Sequence, residues 1–502
     1  MMNNVLGYLE ESARRQPEHV AVVDTDGSTT YRELAAMSRR IGSRLARSCQ
    51  PRQPIVICMD KGIKALAVMM GTVYAGCFYV YIDPIQPAAR RRRIIDVCRP
   101  ALAVIADGQP ADGLDGVAII RISELADAQE DDELLGSIRS QTLDIDPLYC
   151  NFTSGSTGTP KGVLVSHRSV IDFMNYFPAL FGIGADDVIG NQAPFDFDVS
   201  VKDIYSCFST GATLVLIPRI CFSVITRLLD WLDDNHVTTL IWAVSALCLV
   251  PQFKGFDYKI PSKVDKVLFS GEPMPIKYLN MWRQALPAAH FVNLYGPTEI
   301  TCNCTYYRVE RPFELGEILP IGQPFPNEQV LLMDSDGGMI TAQGAVGEIC
   351  VTGTALALGY YNDPVQTAKV FVQNPLYTGY PQLMYRTGDL GYRDGDGNLC
   401  FSGRSDFQIK IMGHRIELEE VEAAISGLPG IERACCCYDA RRQRIVAFYC
   451  GRLAPLELKK QLHALLPGYM VPSAAVSLEQ MPLTLNGKID RHALMAMEVK
   501  NG

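Results

Sequence analysis

The chain has 502 residues, 48% of them hydrophobic and 20% charged, which fits a soluble globular protein of two or more domains. Its net charge of −9 and pI near 5.4 deny it the basic face that binding a nucleic-acid backbone requires. No apolar run reaches the ~18 residues of a membrane span, and the start, MMNNVLGYLEESARRQPEHV, lacks a signal-peptide core, so a cytoplasmic protein without membrane insertion is expected.

From the N-terminus, TTYRELAAMSRRIGSRLA reads as an amphipathic helix and PIVICMD as a buried strand; KALAVMMGTVYAGC is a helix and FYVYID the next strand. AARRRRIIDVC has a helical pattern, and its arginines, Arg90 to Arg93, are expected on a solvated face. Strand–helix alternation continues through ATLVLIP, TTLIWAV and KVLFSG to about residue 320, which implies parallel sheet with helices on its faces. From there to residue 402 the texture changes to short strands and Gly/Asp turns (EQVLLMDSDGG, GEICVTG, YRDGDGNLCFSG), a β-rich section. After Arg404 a compact α+β run follows: QIKIMG, ELEEVEAAISGL, RACCCYD, RIVAFYC and LELKKQLHALL. The expected fold is therefore α/β. A large N-terminal domain (1–402) holds mixed and parallel sheets with flanking helices plus a β-rich subdomain, and a small α+β domain (403–502) ends the chain. The sixteen cysteines show no paired CxxC spacing. Cys435, Cys436 and Cys437 lie on an apparent strand, where successive side chains alternate faces, and this suits neither a metal cage nor a disulfide framework. They are expected to be reduced and to act as small apolar residues.

Thr153-Ser154-Gly155-Ser156-Thr157-Gly158-Thr159-Pro160-Lys161-Gly162 follows the apolar entry LYCNF. Its glycines free backbone N–H groups and its hydroxyls add donors, so it can wrap a polyphosphate, although GxxxxGK[ST] is absent. Further motifs accompany it in order: YREL at 31–34, AGCFYVYIDP at 75–84, FDFDVSVKDIY at 195–205, NLYGPTE at 293–299 and GEICVTGTALALGYYNDP at 347–364. YRTGDL at 385–390, GRSDFQIKIMGHRIELEEVE at 403–422 and NGKIDR at 486–491 complete the series. End to end, this set resembles the adenylate-forming superfamily of acyl-CoA ligases, luciferases and adenylation domains of nonribosomal peptide synthetases. Within it, the likeness is to amino-acid adenylation enzymes, with D-alanine–carrier-protein ligases as near relatives.

The resemblance implies ATP and Mg2+ as cofactors. Lys488 would bridge the substrate carboxylate and the α-phosphate. The loop residues Thr153 to Gly158 and Lys161 would hold ATP, with Asn293, Tyr295, Gly296, Gly271 and Glu272. Of these, Tyr295 would stack on adenine and the Ser270-Gly271-Glu272 backbone would line its other side. Thr298 would touch the α-phosphate, Asp389 would accept the ribose hydroxyls assisted by Arg404, and Glu299 would hold Mg2+. Asp406 matches the family's hinge, about which the small domain swings after adenylation. Lys410 and Gly413 would then lie on the strand-loop passed by a pantetheine arm, with Met412 where an arginine is common.

Asp198 resembles the aspartate that pairs with a substrate ammonium in amino-acid activators; capping of the following helix is its structural alternative. The same alignment makes Val199, Lys202, Trp242, Leu268, Ser270, Leu294, Cys302 and Asn303 the pocket, closed by Lys488, with Trp242 as a floor favouring a short side chain. An ammonium at Lys202 suits an acidic or carbonyl-bearing side chain unless it snorkels to water. A small polar amino acid, possibly acidic, is the expected substrate. No carrier attachment motif (Gly-Gly-x-Ser) and no HHxxxDG occurs, so loading of a separate phosphopantetheinylated carrier protein is expected. D-Alanine–carrier-protein ligase, acyl- or aryl-CoA ligase and a silent scaffold are the alternatives.

Overall fold

The computed structural model describes residues 2–126, 128–155, 159–483 and 489–501. Among them, two large sheets dominate. One has nine strands in the order Gln323–Pro324, Thr305–Arg308, His290–Tyr295, Lys266–Ser270, Thr239–Ala243, Val188–Asn191, Thr213–Leu216, Val20–Asp24 and Gly27–Thr30. Its pairings are parallel from His290–Tyr295 through Val20–Asp24 and antiparallel at both edges. The other has seven strands, in the order Gly359–Tyr360, Lys161–Ser166, Pro147–Thr153, Phe78–Tyr81, Pro54–Cys58, Leu102–Ile105 and Ile119–Arg121. These centres are apolar runs buried on both faces, as parallel strands covered by helices must be.

Helices Tyr31–Ala46, Ile63–Tyr74, His167–Phe181 and Val199–Thr210 fill the space between the sheets, and one apolar cluster runs through all of them. The first begins with a full capping box, Thr30 accepting from the Glu33 N–H and Glu33 from the Thr30 N–H. A second cluster covers the far face of the nine-stranded sheet, beneath Ile225–Asp234, Val244–Gln252 and Ile276–Ala285.

The β-rich section is a five-stranded sheet built on Leu383–Arg393, which pairs on one side with Gly347–Gly353 and carries Leu399–Arg404 antiparallel. After it come a hairpin of Gln408–Ile411 with His414–Glu417, the helix Leu418–Ser426, and a sheet of Ile431–Asp439, Arg444–Gly451 and Ala474–Ser477. In that sheet Cys436 packs into one cluster while Cys435 and Cys437 pack into the other, as a strand's two-residue period requires. All sixteen cysteines are free and buried. No helix among the described residues is long and apolar enough to cross a membrane.

The arginine run is not a solvated face. Helix Ala88–Cys98 buries Arg90 and Arg91, and Arg90 reaches the fully buried Glu420 of the last domain at 2.6 Å. Arg93 donates to the Leu465 carbonyl at 2.7 Å. This helix is a dock for the C-terminal part of the chain.

Candidate active site

The helix Val199–Thr210 opens at Asp198 with φ −62° and ψ −19°, already helical, and the Asp198 side chain makes no cap hydrogen bond. Its carboxylate is thus not committed to the helix. Burial pushes its pKa up, opposed by a hydrogen bond from Thr298 and by the Lys202 ammonium. One turn on, Lys202 is 1% exposed and does not snorkel. It donates to Asn303 Oδ1 at 2.7 Å and Ser270 Oγ at 3.2 Å. Burial pulls its pKa below that of an ordinary lysine. The Cys302 thiol donates to the Asp198 carbonyl at 3.2 Å. Leu268 and Leu294 reach this place from neighbouring parallel strands, at whose carboxyl ends α/β proteins place their sites, and Val199 is buried at the start of the helix.

Trp242 does not join them. It packs on the opposite face of the sheet, against Phe222, with its indole N–H on the Gly190 carbonyl at 2.7 Å. Strand side chains alternate, so Ile241, paired with Leu268 and in the same cluster, presents the pocket-side face that the alignment assigned to Trp242. A second wall was not expected. Tyr149, Asn151 and Thr153 share one face of the strand leading into the Ser/Gly/Thr loop, and each has a buried side-chain polar atom without a hydrogen-bond partner among the described residues. Tyr149 lies close enough to Asp198 to feel its charge. Polar atoms at every second position of a buried strand were the available signal.

On the other side of the site, Tyr295 donates its hydroxyl to Asp389 Oδ2 at 2.6 Å, and Arg404 holds Asp389 Oδ1. Tyr295 therefore meets Asp389 through its oxygen in this arrangement. Arg404 also forks onto Asp406, at 2.6 and 2.7 Å. Asn293 braces the Pro320 carbonyl at 2.8 Å, and a Cβ on Gly296 would lie 2.5 Å from the Asn303 Cα, so the chain there packs too tightly for any side chain.

The hairpin 408–417 lies across the site. Its turn, Met412–Gly413, has φ of 53° and 79° at its two residues, both positive as a tight two-residue hairpin requires. The Gly413 N–H donates to Glu272 Oε1 at 2.7 Å, and Lys410 sits where Asp389 and Asp198 both act on it. Arg415 donates to both oxygens of Glu299, at 2.8 and 2.9 Å, and Tyr360 adds a bond at 2.7 Å. Burial opposes ionisation of Glu299, but Arg415 and Lys161 outweigh it and hold its carboxyl at about 2.

The Ser/Gly/Thr loop is engaged as well. Ser154 Oγ donates to the Arg415 carbonyl at 2.8 Å and accepts from the Glu417 N–H at 3.0 Å. The Gly155 N–H donates to Glu420 Oε2 at 3.2 Å, and Lys161 reaches Glu417 at 3.5 Å. A Cβ on Gly155 would stand 2.0 Å from the Thr159 carbonyl oxygen, so only glycine fits. Ser156, Thr157, Gly158 and Lys488 lie outside the described residues. No group of three or more His, Cys, Asp or Glu able to hold a metal occurs among the described residues. Glu299 suits a hard cation as a carboxylate, and could offer both oxygens only with Arg415 withdrawn.

Residues 9–361 match the family model "AMP-binding enzyme", and residues 420–488 match "AMP-binding enzyme C-terminal domain". Tyrocidine synthase 3 of Brevibacillus parabrevis is 34% identical over 97% of this chain, and the match covers 7% of that much longer protein. The D-alanine--D-alanyl carrier protein ligase of Lacticaseibacillus casei (strain BL23) is 31% identical, with 99% of both chains covered. Among solved structures, a holo NRPS protein containing adenylation and PCP domains, bound to a vinylsulfonamide inhibitor, superposes with a TM-score of 0.86. It is 26% identical, over 99% of this chain and 84% of that one.

Proposed function

Because this chain belongs to the AMP-binding enzyme family, whose members form adenylates, we propose that it activates a small polar amino acid with ATP. The amino-acid carboxylate would displace pyrophosphate from the α-phosphate to give aminoacyl-AMP. The phosphopantetheine thiol of a carrier protein would then take the aminoacyl group as a thioester and release AMP.

The observation that supports an amino acid above other acids is Asp198, a buried carboxylate free of any capping duty. A substrate ammonium offsets its desolvation. Loop donors such as the Gly155 N–H and Lys161 suit phosphate oxygens, and Asp389 suits the ribose hydroxyls. Glu299 would hold Mg2+, which would neutralise phosphate charge. Lys488 is assigned to the first half-reaction, and Lys410, beside Asp389 and Asp198, to the second.

Amino-acid-dependent pyrophosphate exchange against a panel of L-, D- and β-amino acids tests the reading. Asp198→Ala should lower the exchange at least about a hundredfold, as loss of a buried charge partner implies. Two further readings have specific support. Matching over 99% of both chains favours a D-alanine–carrier-protein ligase, so D-alanine belongs in the panel. Lys202 acts electrostatically on Asp198, which would suit an amine-free acid and hence a CoA ligase; exchange supported by simple carboxylic acids alone would establish that instead.

A further inference from the structure

Lys202 carries a charge that the backbone of an amino acid cannot balance. An ammonium has three N–H donors. Among the described residues, Lys202 gives them to Ser270 Oγ and Asn303 Oδ1, both neutral and only two in number. Asp198 moderates the charge from one turn earlier on the same helix. A substrate whose ammonium takes Asp198 competes for that carboxylate and leaves the dehydrated Lys202 with Asp203, which accepts from Asn191 and also faces Lys61, as its remaining acidic neighbour, a costly arrangement. The Tyr149 hydroxyl is fully buried beside Asp198 and has no hydrogen-bond partner among the described residues. Two donors therefore await an acceptor, and one of them is cationic.

We infer that the substrate's side chain ends in a carboxylate, received by Lys202 and the Tyr149 hydroxyl, so that the amino acid is a short dicarboxylic one. The inference rests on the amino-acid-activating reading above. Asp198 and Lys202 stand four residues apart on one helix, about 6 Å of rise, a span suited to an aspartate- or glutamate-sized side chain. A side-chain amide would satisfy the same donors but add no charge to help Asp203 offset the ammonium.

Pyrophosphate exchange with aspartate and glutamate, compared with asparagine, glutamine, serine and alanine, tests this on the unmodified enzyme. The better dicarboxylic acid should exceed its own amide at least about tenfold in kcat/KM, in line with a charge-assisted over a neutral hydrogen bond. Lys202→Met should erase that ratio or invert it, and Tyr149→Phe should reduce it. The wild-type panel decides even if either variant fails to fold. Preference for a neutral or cationic amino acid overturns the inference while amino-acid activation stands. Exchange with amine-free acids alone overturns both.

Discussion

At Glu328 a half-buried carboxyl accepts the Ala355 N–H through one oxygen, while the other has no partner among the described residues. Burial, opposed by that bond, pushes its pKa up to about 8. The folded state therefore binds a proton that the unfolded chain has already lost above about pH 4.5. The stability this contributes is full below that pH and disappears as pH rises through about 8. Glu328→Gln should consequently melt higher relative to wild type at about pH 8.5 than at pH 5, by a few degrees. The check is a thermal melt at each pH; a constant difference would show that the carboxyl does not titrate in this range. His167 behaves oppositely. Burial lowers its pKa to about 3, so it costs stability as pH falls below about 6.5, equally in wild type and in Glu328→Gln. Residue by residue, the position of Asp198 at the start of a buried helix was legible because FDFD precedes a helical pattern. Trp242 was not, because an alignment shifted by one position in a strand moves a side chain through the sheet.

Among the elements, the parallel strands were readable as continuous apolar runs, and the change of texture near residue 402 falls where the five-stranded sheet gives way to the hairpin 408–417. Helix Ala88–Cys98 was readable as a helix but not as an interface. The partner that buries Arg90 is Glu420, 330 positions away, and a local pattern of four arginines looks the same whether water or a carboxylate receives it. Removing one member of a buried ion pair strands the other, typically at about 3–5 kcal/mol. Glu420→Ala should therefore loosen the docking of the C-terminal elements on this helix and on Gly155. Limited proteolysis should cut between residues 404 and 407 faster in the variant, while Arg90→Met combined with Glu420→Leu should restore much of the protection. An unchanged cleavage rate in Glu420→Ala would mean that the pair holds nothing in place.

For the molecule as a whole, two acidic side chains of the last domain sit on the donors that a polyphosphate would need. Glu420 takes the Gly155 N–H, Glu417 takes Lys161, and Arg415 closes over Glu299. A triphosphate on the same loop would face those carboxylates at close range, and like charges repel strongly where water is scarce. Pyrophosphate with Mg2+ should therefore shift the protein away from the docked arrangement and raise cleavage at 404–407, whereas AMP should do so much less. Equal protection with and without pyrophosphate would refute the competition. The buried thiols make such openings visible without any engineered label. Cys435, Cys436, Cys437 and Cys450 belong to the last domain, and the other twelve cysteines precede it. A maleimide pulse followed by peptide mass mapping would thus timestamp the unsealing of each part separately, turning a feature that merely fills the core into an internal chemical clock.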